Sequence, residues 1–172
     1  MKKFLLVFAV LGGAVLSSFA QSSSSGGSAK ISVGIDAAIP NGNAATVYDA
    51  GFGVSLKYEA PIATNLYATV SAGYEAFFVK SEFKSLGLNS SYGFIPLKAG
   101  LKYYFMEDGV GFFAEGQVGA SISTQSGGGT AFAYAPGIGY SVDGGFEVGA
   151  RYEAWSKNGT FGQFALRLAY RF

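Results

Sequence analysis

From residue 29 onward, apolar and polar side chains alternate with a period of two, the signature of strands with one buried and one differently solvated face. In the first stretch Ile31, Val33, Ile35, Ala37 and Ile39 share one face, and Lys30, Ser32, Gly34, Asp36 and Ala38 share the other. The alternation predicts strands over 29–40, 51–62, 66–77, 93–105, 110–123, 131–142, 145–155 and 161–172. Helical periodicity is not seen after residue 28. Turn formers punctuate the strands: Asn41-Gly42-Asn43, Ala63-Thr64-Asn65, Met106 to Gly109, the Gly-rich 124–130, Asp143-Gly144 and Asn158-Gly159. Asp143-Gly144 reads as a two-residue hairpin turn. Pro96 lacks a ladder donor and predicts a bulge or the outer end of its strand. Tyr-Glu-Ala recurs at 58–60, 74–76 and 152–154, always with Tyr on the apolar face.

The front of the chain is different. Lys2 and Lys3 precede an apolar run from Phe4 to Leu16, and Ser18-Phe19-Ala20 is a small-x-small site, so residues 1–20 read as a cleaved secretory signal. The run is shorter than the roughly 20 apolar residues that span a bilayer as a helix. Residues 21–28, Gln-Ser-Ser-Ser-Ser-Gly-Gly-Ser, read as a flexible polar leader, and 29–172 as a single domain. Cleavage would remove two lysines and take the formal charge from +1 to −1. That balance gives no electrostatic reason to expect nucleic acid.

Composition decides what the alternation means. Charged residues are 13% of the chain, against about 25% in soluble domains. Aromatics are 16% and glycines number 26. Alternation alone fits a soluble lipocalin-like barrel as well as one whose apolar face meets lipid. Three features favour lipid. The polar face is rich in Gly, Ala and Ser, which a narrow eight-stranded interior needs. Aromatics on the apolar face gather near strand ends, among them Phe52, Tyr74, Tyr103, Phe112, Phe132 and Phe146, as in interfacial girdles. The predicted connections also alternate: about 10, 15, 7 and 5 residues after odd strands, and about 3, 4 and 2 after even ones, the long-loop and short-turn pattern of membrane barrels. The expected fold is therefore all-β, an eight-stranded antiparallel up-and-down transmembrane β-barrel.

The inward face then carries a set of charges: Lys57, Lys98, Lys102, Arg151, Arg167 and Arg171 with Glu59, Glu75, Glu115, Glu147 and Glu153. Two interpretations are open, a structural plug of ion pairs or an ion-selective pore. The plug is favoured, because barrels of 16–18 strands are the ones that leave an aqueous channel. Catalytic chemistry is poorly supplied. The chain has no Cys and no His, so thiolate nucleophiles, disulfides and Ser-His-Asp arrangements are excluded. The aspartates Asp36, Asp49, Asp108 and Asp143 lack metal-ligand spacing, and neither Gly127-Gly128-Gly129 nor Gly137-Ile138-Gly139 opens a helix as a phosphate loop does. Asn89-Ser90-Ser91 and Asn158-Gly159-Thr160 match the glycosylation sequon but read as loop residues.

The last twelve residues, Phe161 to Phe172, place Phe164, Leu166, Leu168, Tyr170 and Phe172 on one face, and Gln163, Ala165, Arg167, Ala169 and Arg171 on the other. With the signal and the eight strands, this stretch resembles the closing strand of small outer-membrane β-barrel proteins of the OmpA-transmembrane-domain and OmpX type. The resemblance covers about 29–172. It implies insertion into the outer membrane of a double-membraned bacterium, and it implies that Phe164, Leu166, Leu168, Tyr170 and Phe172 form the signal read by the barrel-assembly machinery. The expected partners are outer-membrane lipid and that machinery. The chain is expected to be a monomer, with no cofactor, no metal site and no nucleic-acid partner. The expected role is non-enzymatic, structural or surface-interacting. The alternative is a narrow channel or small-ligand carrier. A lipid-modifying enzyme is disfavoured by the lack of histidine.

Overall fold

The computed structural model describes residues 28–84, 90–106 and 109–172. The expected signal peptide and most of the leader lie outside the described residues. Eight strands form the fold: β1 (Lys30–Asn41), β2 (Tyr48–Ala63), β3 (Leu66–Val79), β4 (Ser91–Tyr104), β5 (Gly111–Ser123), β6 (Thr130–Ser141), β7 (Phe146–Ser156) and β8 (Thr160–Arg171). Each pairs antiparallel with its chain neighbours, and β8 returns to β1, so the sheet is a closed barrel in the order β1 to β8. Ile35 shows how the ring is locked, facing Val54 on β2 and Leu168 on β8.

The faces follow the sequence parity. Along β1 the even positions from Ser32 to Pro40 are buried and the odd ones from Ile31 to Ile39 are exposed. Large apolar side chains stand on the outer wall of every strand, Ile138 at 67% exposure and Phe164 at 60% being typical. Ala60 and Ala154 share that parity yet are buried. Ala154 sits opposite Tyr134 and follows Tyr152, and these two rings lie 6.5 Å apart, so a methyl beside them is screened. Inside, small residues make room for large ones. A Cβ on Gly34 would lie 2.8 Å from Arg167 Nε, and one on Gly51 would lie 2.5 Å from the Phe77 ring.

Several local expectations change. Two single-turn helices, α1 (Ala44–Val47) and α2 (Ser81–Lys84), sit in the first two odd connections, where no helical pattern was visible. Pro96 causes no register shift: Ala72 faces Leu97 and Glu75 faces Phe94 in one unbroken register, with the β3 ladder interrupted only between them. On its other side Pro96 stays paired with Ser121. A missing N–H costs a ladder bond without adding a residue, so no bulge is needed. Asp143 and Gly144 occupy the middle of a β-turn closed by Gly145 N–H to Val142 O at 3.1 Å, but the left-handed residue is Gly145, at φ 87°. That is a turn plus a one-residue glycine bulge, which restores the strand twist that an ordinary turn would splay. The connections are 42–47, 80–90, 124–129 and 157–159 at one end, and 64–65, 105–110 and 142–145 at the other. Strands run further than the pattern implied, so the contrast in length is weaker than expected. Residues 85–89 and 107–108 within them lie outside the described residues. We call the first end the loop end and the second, where both termini of the barrel lie, the turn end.

Candidate functional site

All eleven charges assigned to the inner face lie inside the barrel, joined there by Asp36. Lys102 on β4 is fully buried and lies 2.7 Å from Glu59 Oε1 on β2 and 2.5 Å from Glu147 Oε2 on β7, spanning the lumen. Its ammonium also sits 4.0 Å from the centre of the Phe113 ring. Arg167 donates to Ser55 Oγ at 2.9 Å, to Ser32 Oγ at 3.1 Å and to Glu147 Oε1 at 3.4 Å. Arg171 donates to the Tyr104 hydroxyl at 3.1 Å and to the carbonyls of Gly109 and Val142 at 2.7 and 3.3 Å, and Tyr104 donates to Glu59 Oε2 at 3.0 Å. Taking such charges out of water costs several kcal/mol each, and only close pairing and full hydrogen bonding offset it.

Beside them Lys57 meets Glu115 at 2.5 Å, and towards the loop end Lys98 meets Glu153 at 2.5 Å. Arg151 joins Asp36 at 2.6 Å to Glu153 at 2.8 Å, and Ser55 donates to the other Asp36 oxygen. Glu75 is the exception among the carboxylates. It is 2% exposed, and among the described residues it makes no ion pair, receives only the Gln163 amide at 3.4 Å, and leaves its Oε1 without a partner. Glu115 Oε1 is likewise unpartnered. Both glutamates line a cavity of about 50 Å³ among the ion pairs. That is room for a few waters.

Aromatic rings close the lumen on either side of the charges. At the turn end Tyr67, Tyr104 and Phe113 pack edge to face, with centroids 5.3 and 5.7 Å apart. At the loop end Phe77, Phe94, Trp155 and Phe161 pack together, Trp155 stacking on Phe161 at 5.1 Å and 16°. Trp155 Nε1 donates to Glu153 at 2.8 Å, tying this cap to the charges beneath. Sequence reasoning missed the loop-end cap. Phe77, Trp155 and Phe161 continue the inward parity of Glu75, Glu153 and Gln163, so extending the alternation by one step would have found them. Tyr48 could not have been found that way. A register shift between Tyr48 and Ala50 turns its ring inward, onto Phe77 and Phe161.

Above this cap the loop end is hollow. A pocket of about 390 Å³ has Phe94, Trp155 and Phe161 among its lining, together with Asn43, Ser121, Ser123, Lys157 and Thr160. Lys157 Nζ donates to Gly128 O at 2.7 Å and so straps the β7–β8 connection to the β5–β6 connection. The proposed recognition residues Phe164, Leu166, Leu168, Tyr170 and Phe172 all lie exposed on the outer wall of β8 or just beyond it. Tyr170 packs edge to face on Phe146 and Phe172. Among the described residues no cluster of His, Cys, Asp or Glu is arranged to hold a metal.

The fold has known counterparts. The outer membrane protein Ail of Yersinia pestis, in a phospholipid nanodisc, superposes with a TM-score of 0.57 at 19% identity over 83% of this chain and 99% of its own. The N-terminal barrel domain of Pseudomonas aeruginosa OprF gives 0.53 at 15% identity, over 82% and 97%. The de novo designed barrel TMB2.3 gives 0.57 at 19%, over 85% and 96%. At such identities the likeness is one of fold. Comparison with curated proteins finds no significant match. The family model for the outer membrane protein beta-barrel domain matches residues 6–172. Pattern, ring closure and family model agree, and this chain belongs to the outer membrane protein β-barrel domain family, as an integral protein of the bacterial outer membrane.

Proposed function

We propose that this protein is a non-enzymatic barrel whose lumen is a structural plug, and that it acts through its surface at the loop end rather than by passing solutes. The observation that carries this is the filling of the lumen. Lys102 bridges two carboxylates across it, and rings cap it on both sides. What remains between the ion pairs is a cavity of about 50 Å³. A hydrated ion crossing this interior would have to break several buried ion pairs, each several kcal/mol when one partner is stripped away. The absence of His and Cys and the commitment of most inner carboxylates to cations support a non-enzymatic role. Conductance in planar bilayers tests it. The purified protein is expected to show no unitary steps; long-lived open steps from the unaltered chain would overturn the plug.

The same proposal places the termini on the periplasmic side and the loop end outside, because the longest connection, 80–90, lies at that end. The working form is a monomer surrounded by lipid, since the apolar wall runs round all eight strands. Chemical crosslinking in native membranes checks this, and a discrete dimer band would contradict it. The outer face of β8, Phe164 to Phe172, serves as the assembly signal.

A further inference from the structure

We propose that the loop-end pocket is a binding site for a sugar ring carrying a carboxylate, a hexuronate unit. The inference rests on the reading that the barrel acts through its loop end, and it is tested independently of conduction. The pocket's 390 Å³ falls within the range of small-molecule sites, about 300–1,000 Å³. Its floor is aromatic. Phe94 and Phe161 are half-buried and keep part of each ring open, while Trp155, 3% exposed, backs them. Its rim is polar but carries no carboxylate: Asn43, Ser123 and Thr160 offer hydroxyl and amide groups, and Lys157 supplies the one cation of the lining.

One polar group asks for a partner. Ser121 lines the pocket, is 1% exposed, and its Oγ makes no hydrogen bond among the described residues. A buried hydroxyl left unpaired is destabilising, and a ligand donor or acceptor would relieve that. These features select among ligands. A purely apolar molecule would leave Ser121 and Asn43 unsatisfied. A bare phosphate or sulfate has no face to lay on rings. A quaternary ammonium would suit rings but meets Lys157 and finds no anion in the lining. A pyranose has a C–H face for the negative π surface and hydroxyls around its edge. Its carboxylate would take the remaining ammonium hydrogens of Lys157, which spends one on Gly128 O. The same unit could arrive as a free sugar or as part of an acidic polysaccharide.

The chain has a single tryptophan, and it lies in the floor, so its emission reports on this pocket alone. The folded barrel in detergent micelles is titrated with galacturonate, galactose, polygalacturonate and choline, excited at the red edge of the indole band. Galacturonate is expected to give a saturable change with half-saturation on the order of 1 mM. Galactose is expected to bind about threefold more weakly, the size of one exposed ion pair. Lys157→Gln should erase that preference while leaving galactose unchanged. Ser121→Ala should weaken both sugars by about fivefold. Polygalacturonate saturating at lower uronate concentration than the monomer assigns the polysaccharide as source, and equal saturation assigns the free sugar. No saturable response to galacturonate, an equal or stronger response to choline, or an acid preference that survives Lys157→Gln overturns the site. Lys157 is exposed on a loop, so its substitution leaves folding intact, and the heat-modifiable gel shift verifies this for every variant. Failure here with silent bilayers removes only the pocket; conduction removes only the plug.

Discussion

The two ends of the lumen are closed by different chemistry. At the turn end the rings of Tyr67, Tyr104 and Phe113 are tied in by hydrogen bonds and charge: Arg171 holds the Tyr104 hydroxyl and two backbone carbonyls, and Lys102 holds two carboxylates. At the loop end the closure is a stack of rings, joined to the charges below chiefly by Trp155 and Glu153. Unsatisfied polar atoms follow the same division. Glu75 Oε1, Gln163 Oε1 and Ser121 Oγ all lie in the loop half. In the turn half Arg171 Nε and Glu115 Oε1 lack bonds among the described residues, yet Arg171 Nε stands 3.9 Å from Glu147 and Glu115 keeps Lys57 at 2.5 Å through its other oxygen. The turn end is built as an anchor, over-determined by charge. The loop half leaves three buried polar atoms without partners among the described residues, each of which calls for an explanation such as a water or a ligand.

If that contrast is right, damage at the turn end should cost far more than damage at the loop end. Removing Tyr170–Phe172 deletes Arg171 and two exposed wall aromatics, and is expected to abolish insertion. The truncated chain should lack the heat-modifiable shift in outer-membrane fractions, whereas excision of 126–128 from the β5–β6 connection should leave the shift intact. Equal behaviour of the two deletions would refute the contrast.

Single substitutions sharpen it. Lys102→Met leaves Glu59 and Glu147 facing each other without their shared cation and should cost about 3–5 kcal/mol in urea unfolding from lipid vesicles. Lys98→Met should cost about 1–3 kcal/mol, because Glu153 keeps Arg151 and Trp155. A smaller cost at 102 than at 98 reverses the assignment of anchor. Topology gives an all-or-none check without a stability change. A glutamate-specific protease added to intact cells should cut, if anywhere, at Glu82 in 80–90 and not at Glu107 in 105–110. The smallest effect is expected at Glu75→Gln. It removes a buried carboxylate that makes no ion pair, so stability should change by less than about 1 kcal/mol, or rise. A loss comparable to Lys102→Met would show that Glu75 carries structure after all.

How much of this was legible in the chain depends on what parity can carry. The fold was, because period 2 persists through all eight segments and fixes which side each residue faces. The inner position of every lattice charge followed from the same parity. Which cation meets which anion did not: Lys57 finds Glu115 on β5, 58 positions away, and Lys102 reaches across to Glu147. Such pairings depend on strand tilt and stagger, which no one strand encodes. Asp36 was placed inward but not counted among the charges, since no neighbour in sequence hints at Arg151. The loop-end pocket was invisible for a further reason. Its floor and rim come from β4 to β8, from the connections 124–129 and 157–159 and from Asn43 and Ala44, brought together only when the ring closes.

The β1–β8 seam has a consequence for how the protein comes apart. Every other neighbouring pair of strands is a hairpin, held together in sequence by a short connection. The seam joins the two ends of the barrel, and Arg167 reaches Ser32 over a separation of 135 residues. Opening it returns to the chain the entropy of its longest closed loop, a gain that no hairpin offers. In water this would be the first place to part. In hydrocarbon, parting strips the backbone groups along the ladder from Ser32–Arg171 to Asn41–Gly162 of their partners, at several kcal/mol each, with no solvent to replace them. The bilayer therefore acts as a clamp, and the persistence of this ring is a property of the chain and its surroundings together.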